Sequence, residues 1–161
     1  MLTAYTCENG RLQRVTDASA PESLQRAVWI DLLSATIEES ERAAAATGLR
    51  IPVEADLSEI EASSRLSTHD GALYISMPLT TRDKMEHRAI PAGFVLSADR
   101  LITIRFAPSH LFEHFAERQP RDNDQQGSSG HLFVGLLETI VDRQADELEQ
   151  VRAELDTISH R

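Results

Sequence analysis

One short motif in the sequence could bind a transition metal. His110, Glu113 and His114 match the H-x-x-E-H pattern of some zinc metalloproteases, in which two histidines one helical turn apart bind zinc and the glutamate polarises water. Such enzymes also need a more distant ligand and a substrate cleft, and no second motif supplies either. We therefore keep a zinc hydrolase as a remote alternative to histidines that simply face solvent.

The acidic segment 56–61 offers a second set of candidate ligands. It contains Asp56, Glu59 and Glu61, and carboxylate oxygens are the ligands that Mg²⁺ and Ca²⁺ prefer. The segment lacks the alternating oxygen ligands of an EF-hand loop, and a helix cannot surround an ion by itself. The spacing thus allows two interpretations, a solvated helix surface or a share of a metal site.

Other catalytic chemistry is missing from the sequence. There is no Gly-rich phosphate loop, no nucleophile elbow and no cysteine nucleophile with a partner residue. The single Cys7 excludes an internal disulfide and a Cys-rich zinc site, and we interpret it as a packing residue. We predict no catalytic residues, no bound organic cofactor and no enzyme activity.

Length and charge point to one globular domain that attracts cations. The chain has 161 residues and a formal net charge of −10, which argues against nucleic-acid binding because phosphate neutralisation needs clustered Lys and Arg. We find no secretion signal and no apolar run of about 18 residues that could span a bilayer. The chain as given is therefore expected to be water-soluble.

The elements that must position the candidate ligands follow from periodicity and turn chemistry. In the first half we predict a hairpin of strands 2–7 and 11–15, a buried strand 27–33, a helix capped by Ser34 or Thr36 and ended by Gly48, and a helix 53–62 opened by Pro52. In the second half we predict strands 72–79, 89–96 and 101–106, a helix 109–118, a polar loop 120–129 and a long amphipathic helix from residue 131. The tight turn 98–100 makes the last two strands antiparallel neighbours, so the sheet should be mixed.

The terminal helix carries no stop signal. Its apolar residues recur at three, four and seven positions, and the stripe still continues at Ile158 when the sequence ends at Arg161. We expect a helix cut off inside a stalk or coiled-coil arm. The alternative is a C-terminal helix that packs along the sheet.

Several collinear segments resemble the cytoplasmic domain of bacterial CorA magnesium and cobalt transporters. They are residues 1–4, 9–12, 27–32, 59–65, 101–105 and 138–155. The resemblance implies an α/β/α layered domain with a central mixed sheet over residues 1–130, followed by the start of a long stalk helix over 131–161. It also implies a homopentamer on the cytoplasmic side of a bacterial inner membrane, with the pore in a membrane region that this chain lacks.

The resemblance also implies a regulatory Mg²⁺ site between neighbouring subunits. Its carboxylates would come from the acidic helix and from a stalk segment beyond this chain, with Glu59 as the best match, Asp56 if the register slips by three, and Glu61 beside them. Alternatives are the zinc-transporting branch of the family and a soluble oligomerisation module. The sequence does not decide the transported ion, its direction, or whether this piece assembles alone.

Overall fold

The computed structural model describes residues 1–58, 65–83, 86–117 and 128–159, and for 81–83, 86 and 87 it describes the backbone alone. The strands are β1 (Leu2–Glu8), β2 (Arg11–Arg14), β3 (Trp29–Leu33), β4 (Leu66–His69), β5 (Ala72–Asp83), β6 (Glu86–Leu96) and β7 (Leu101–Arg105). The helices are α1 (Pro21–Arg26), α2 (Ile37–Thr47), α3 (Glu54–Leu57), α4 (His110–Glu117) and α5 (Ser129–Ser159).

The described strands form one seven-stranded sheet in the order β2-β1-β3-β7-β6-β5-β4. Strands β3 and β7 are parallel, and the other neighbouring pairs among the described strands are antiparallel. The prediction of a mixed sheet is confirmed, including the antiparallel pairing of β6 and β7.

Helices cover both faces of this sheet. Because side chains alternate along a strand, Ile30 and Ile102 face one cluster of buried residues while Trp29 and Leu101 face the other. The first cluster includes residues of α1, α2 and α3, and the second includes residues of α4 and α5. The predicted α/β/α architecture is therefore confirmed.

Local turn chemistry sets several element boundaries. Asn9 and Gly10 have φ angles of 52° and 74°, the left-handed pair that a two-residue hairpin turn requires. Thr36 caps α2 by accepting a hydrogen bond from the Glu39 N–H, and Gly48 ends the helix with φ of 71°. The predicted hairpin and Gly48 cap are confirmed, and of the two predicted N-caps the structure selects Thr36.

Two elements were not predicted, and two strands are longer than predicted. Helix α1 buries Leu24 alone among its residues, and β4 has no buried residue, so neither shows an apolar period. Strands β5 and β6 continue as a ribbon past the ends of β4 and β7. Of the predicted helix 53–62, the structure shows the turn Glu54–Leu57, and residues 59–64 lie outside the described ranges.

A pair of facing prolines marks the place where the sheet narrows to that ribbon. Pro78 lies opposite Pro91. The Ser76 N–H donates outward to the Arg65 carbonyl at 2.9 Å, so the nitrogen of Pro78, two residues further on, faces the same edge without a hydrogen to donate. Pairing with β4 therefore does not continue along β5 at this point, while β5 and β6 continue as the ribbon.

A polar network is buried where β3 meets β7. The guanidinium of Arg105 donates to the carboxylate of Asp31, with Nη2 at 2.7 Å and Nε at 3.1 Å from its oxygens, and both side chains are about 95% buried (4% and 5% exposed). Thr103 donates its hydroxyl hydrogen to Asp31 at 2.7 Å and accepts from the Trp29 indole N–H at 3.1 Å. The Arg105 guanidinium also lies 4.5 Å from the centre of the Phe112 ring. Each charged group is thus paired and hydrogen-bonded.

We predict that Asp31→Asn strongly destabilises the domain. The substitution keeps the shape but leaves the buried Arg105 charge without its counter-charge, so the free energy of unfolding should fall by about 3 kcal/mol or more. Urea denaturation followed by fluorescence of the single buried Trp29 measures this change. The matched control is Asp56→Asn, which breaks an ion pair of similar length on the surface and should cost less than about 1 kcal/mol. Equal losses in the two variants would contradict the prediction.

Glu39 at the start of α2 couples folding to pH. Partial burial raises the pKa of Glu39, but hydrogen bonds from the Met1 ammonium and the Thr36 N–H outweigh it, so the net pKa lies below its ordinary value. Hence its contribution to stability is fully present above that ordinary value, 4.5, and is lost as the pH falls through the lower folded value. The Glu39 carboxylate therefore stabilises the fold at neutral pH.

We predict that Glu39→Gln lowers the urea midpoint at pH 7 and that this difference shrinks toward pH 3, because the wild-type carboxylate is protonated there. Urea titrations at both pH values measure it. Glu41→Gln on the exposed side of α2 is the control and should behave like wild type. A gap that persists at low pH would show that Glu39 does not act through its charge.

Candidate cation-binding site

The acidic segment begins on the short helix α3, which packs against the sheet through Leu57. Leu57 is 7% exposed, and a Cβ placed on Gly93 of β6 would lie 2.9 Å from both of its methyl groups. The Leu57 carbonyl accepts a hydrogen bond from the Ser76 hydroxyl at 2.8 Å. The close approach that glycine allows thus fixes this helical turn over β6.

Asp56 is the predicted ligand whose position the structure gives. Its carboxylate accepts hydrogen bonds from the Arg50 guanidinium at 2.6 Å and from the Val53 N–H at 3.2 Å. The Arg50 and Asp56 side chains are 63% and 38% exposed. A solvated ion pair of this kind contributes little free energy, so a cation could compete with Arg50 for the carboxylate.

A shallow cavity of about 160 Å³ lies beside Asp56. His69 and Tyr74 also line this cavity, and the Tyr74 hydroxyl accepts a hydrogen bond from the Arg50 backbone N–H at 3.2 Å. The other two predicted ligands, Glu59 and Glu61, lie outside the described residues. The choice between Glu59 and Asp56 as the main ligand therefore stays a prediction.

The zinc motif lies on α4, on the opposite face of the sheet. His110 and Glu113 are exposed and form a pair, with 3.2 Å between the imidazole Nδ1 and the carboxylate Oε2. Among the described residues, no group of three or more His, Cys, Asp or Glu is placed to hold a metal ion. The four-residue spacing in the sequence predicts that His110 and His114 lie on one side of the helix. The contact between Glu113 and His110 was not predicted.

An open groove separates α4 from α5 and from the ribbon. It has a volume of about 450 Å³, and its lining includes His110, His114, Arg143 and Glu147. Glu147 accepts from the Thr80 hydroxyl at 2.7 Å and from Arg143 Nε at 3.0 Å. The two charges that α5 presents to the groove thus compensate each other, and the two imidazoles stay exposed.

Helix α5 packs on the sheet through its first half. Its buried residues end at Glu147. Four exposed apolar side chains, 53–70% exposed, recur every seven residues along another side of the helix: Val134, Val141, Leu148 and Leu155. Such a stripe is typical of a helix with a helical partner. Within the described ranges, no helix combines the length and apolarity needed to cross a membrane.

Solved structures share this fold. The soluble domain of CorA from Methanocaldococcus jannaschii superposes with a TM-score of 0.72 and 16% identity, covering 99% of this chain and 63% of that one. The full-length CmaX protein gives a TM-score of 0.70 at 13% identity, covering 99% of this chain and 50% of that one. These likenesses confirm the fold that the sequence resemblance implied.

Proteins that are similar to this chain in sequence are named magnesium transport protein CorA. The magnesium transport protein CorA of Escherichia coli strain K12 is 29% identical over 160 residues, and that of Sodalis glossinidius is 30% identical over 160 residues. Each comparison covers 99% of this chain and 50% of the relative, so the chain spans about half the length of these relatives. The family described as CorA-like Mg²⁺ transporter protein matches residues 25–161. The chain therefore belongs to the CorA-like Mg²⁺ transporter family.

Proposed function

We propose that this chain is the cation-sensing regulatory domain of a CorA-type magnesium and cobalt transporter. The observation that carries the proposal is the family match over residues 25–161, together with a CorA soluble-domain fold that covers 99% of the chain. In the whole protein the domain would lie on the cytoplasmic side of a bacterial inner membrane. Five copies would surround the pore.

Asp56, Glu59 and Glu61 would supply this subunit's share of a regulatory Mg²⁺ site. Carboxylates on adjacent subunits repel one another, and a divalent cation between them offsets that repulsion and favours one subunit packing. Weak, millimolar binding suits a sensor of an abundant ion, because the site must empty when the ion becomes scarce. The proposal thus needs differential affinity between two packings rather than tight binding.

The exposure of the Asp56 ion pair supports the proposal that this carboxylate binds a cation. Its Arg50 partner is solvent-exposed, so exchanging the guanidinium for Mg²⁺ breaks a pair that contributes at most about 1 kcal/mol. Meanwhile α3 is held over β6 by the contact of Leu57 with Gly93. The carboxylate can therefore change partners while the helix stays in place.

A second candidate function is a self-standing oligomerisation module. The heptad-spaced apolar stripe on α5 favours it, because exposed apolar side chains in this pattern pair with another helix. Sedimentation of the 161-residue chain with and without Mg²⁺ separates the two functions. A stable oligomer that forms equally with and without Mg²⁺ would favour the oligomerisation module. An oligomer that forms only with Mg²⁺ would favour the cation-sensing domain.

We predict that the full-length protein restores growth of a magnesium-uptake-deficient bacterium in low-magnesium medium. Separate uptake assays with Mg²⁺, Co²⁺ and Zn²⁺ then identify the transported ion. Uptake of Zn²⁺ without Mg²⁺ would assign the protein to the zinc-transporting branch. No uptake of any of the three would contradict the transporter proposal.

We predict that the triple variant Asp56→Asn, Glu59→Gln, Glu61→Gln removes the protection that Mg²⁺ gives against limited proteolysis of the full-length protein in membranes. The physical reason is that the cation loses the carboxylate ligands that the acidic segment would supply on every subunit. The rate of cleavage at 0 and at millimolar Mg²⁺ is the measurement. Uptake of the transported ion should continue in this variant, because the pore lies elsewhere.

The matched control neutralises three exposed carboxylates on α1 and α2, Glu22, Glu38 and Glu41, by substitution with Gln. It changes the net charge equally and should retain protection by Mg²⁺. If the two triple variants behave alike, the response depends on overall charge and the assignment of the acidic segment is wrong.

A further inference from the structure

We propose that His110 and His114 form a two-point binding site for a transition-metal cation of the Zn²⁺, Co²⁺ or Ni²⁺ class. The residues stand four apart on α4, so their side chains lie one above the other on the same side of the helix. Both line the groove between α4 and α5. Imidazole nitrogen suits these metals, whereas Mg²⁺ prefers oxygen ligands.

Glu113 prepares His110 for coordination. Its Oε2 lies 3.2 Å from Nδ1 of the imidazole. In the tautomer in which Nδ1 donates its hydrogen to this carboxylate, the lone pair lies on Nε2, where it can bind a metal. A carboxylate on the second ring nitrogen is the usual support of a metal-ligating histidine.

The surroundings of the pair allow a cation to enter. The His110 side chain is fully exposed, and His114 is also exposed. The groove of about 450 Å³ leaves room for water molecules to complete the coordination sphere. The cationic group that α5 adds to the groove lining, Arg143, is neutralised by Glu147 at 3.0 Å.

This site is separate from the carboxylate site proposed for Mg²⁺. Helix α3 belongs to one layer of the domain and α4 to the other, with the sheet between them. The hydrolase alternative required Glu113 to polarise water, whereas here the carboxylate is engaged with His110. The inference is therefore metal binding without hydrolysis, and it holds whether or not the acidic segment senses Mg²⁺.

Isothermal titration of the tag-free chain with ZnCl₂ tests the site. We expect one equivalent of Zn²⁺ to bind, and His114→Gln to weaken binding by roughly tenfold or more because one of two protein ligands is lost. Glu113→Gln should weaken it by about tenfold, the usual effect of removing the carboxylate behind a ligating histidine. His131→Gln on α5, a histidine whose Nδ1 pairs with the Ser128 hydroxyl, is the matched control and should leave the affinity unchanged.

Two further measurements sharpen the result. Circular dichroism of each variant should match wild type, because the substituted side chains are exposed. Millimolar MgCl₂ should leave the zinc affinity unchanged, since the oxygen-seeking ion does not compete for imidazole. The proposal is overturned if wild type binds no Zn²⁺, if the double variant His110→Gln, His114→Gln binds as tightly as wild type, or if Mg²⁺ displaces Zn²⁺.

Discussion

The ion pair between Asp31 and Arg105 lies where the two halves of the sheet meet. Strands β2, β1 and β3 form one half, strands β7, β6, β5 and β4 form the other, and the parallel pair β3–β7 joins them. The partners are 74 positions apart in the sequence, so no local turn aligns these strands and a long loop must close first. If β3 slipped by one residue, the Asp31 carboxylate would point to the opposite face of the sheet, into the buried cluster that contains Ile30 and Ile102. The pair therefore helps to define the register.

The same pair ties the sheet to α4. Burying two charges is costly, and the cost is offset here because Thr103 and the guanidinium satisfy the carboxylate while Phe112 covers the guanidinium. Phe112 can lie over Arg105 in one orientation of α4, since a helix presents one side to its support. That orientation leaves the His110 and His114 side of the helix exposed in the groove. The same orientation of α4 thus places Phe112 over the buried charge pair and the two histidines in the groove.

Short-range chemistry was predictable from the sequence, and long-range contacts were not. Asn9-Gly10 and Gly48 act within a few residues of themselves, and each was assigned the turn or cap that the structure shows, while Thr36 was one of the two predicted N-caps. By contrast, Asp31 and Arg105 read as isolated charges in apolar strands, because the sequence does not reveal that β3 and β7 are neighbours. Helix α1 and strand β4 were not predicted for a different reason. Each is short and buries at most one residue, so neither has a periodic pattern of apolar residues.

The candidate sites divide in the same way. Four-residue spacing predicts correctly that His110 and His114 share a side of α4, but the spacing alone did not show that Glu113 is engaged with His110. The ion pair of Asp56 with Arg50 was not predicted either, because the two residues lie six positions apart, outside the three- or four-residue spacing of pairs on a helix. Carboxylates and imidazoles select different cations, oxygen-seeking in the first case and nitrogen-seeking in the second. Helix α3, which carries Asp56, and helix α4, which carries the two histidines, lie on opposite faces of the sheet, so the two proposed sites share no ligand among the described residues.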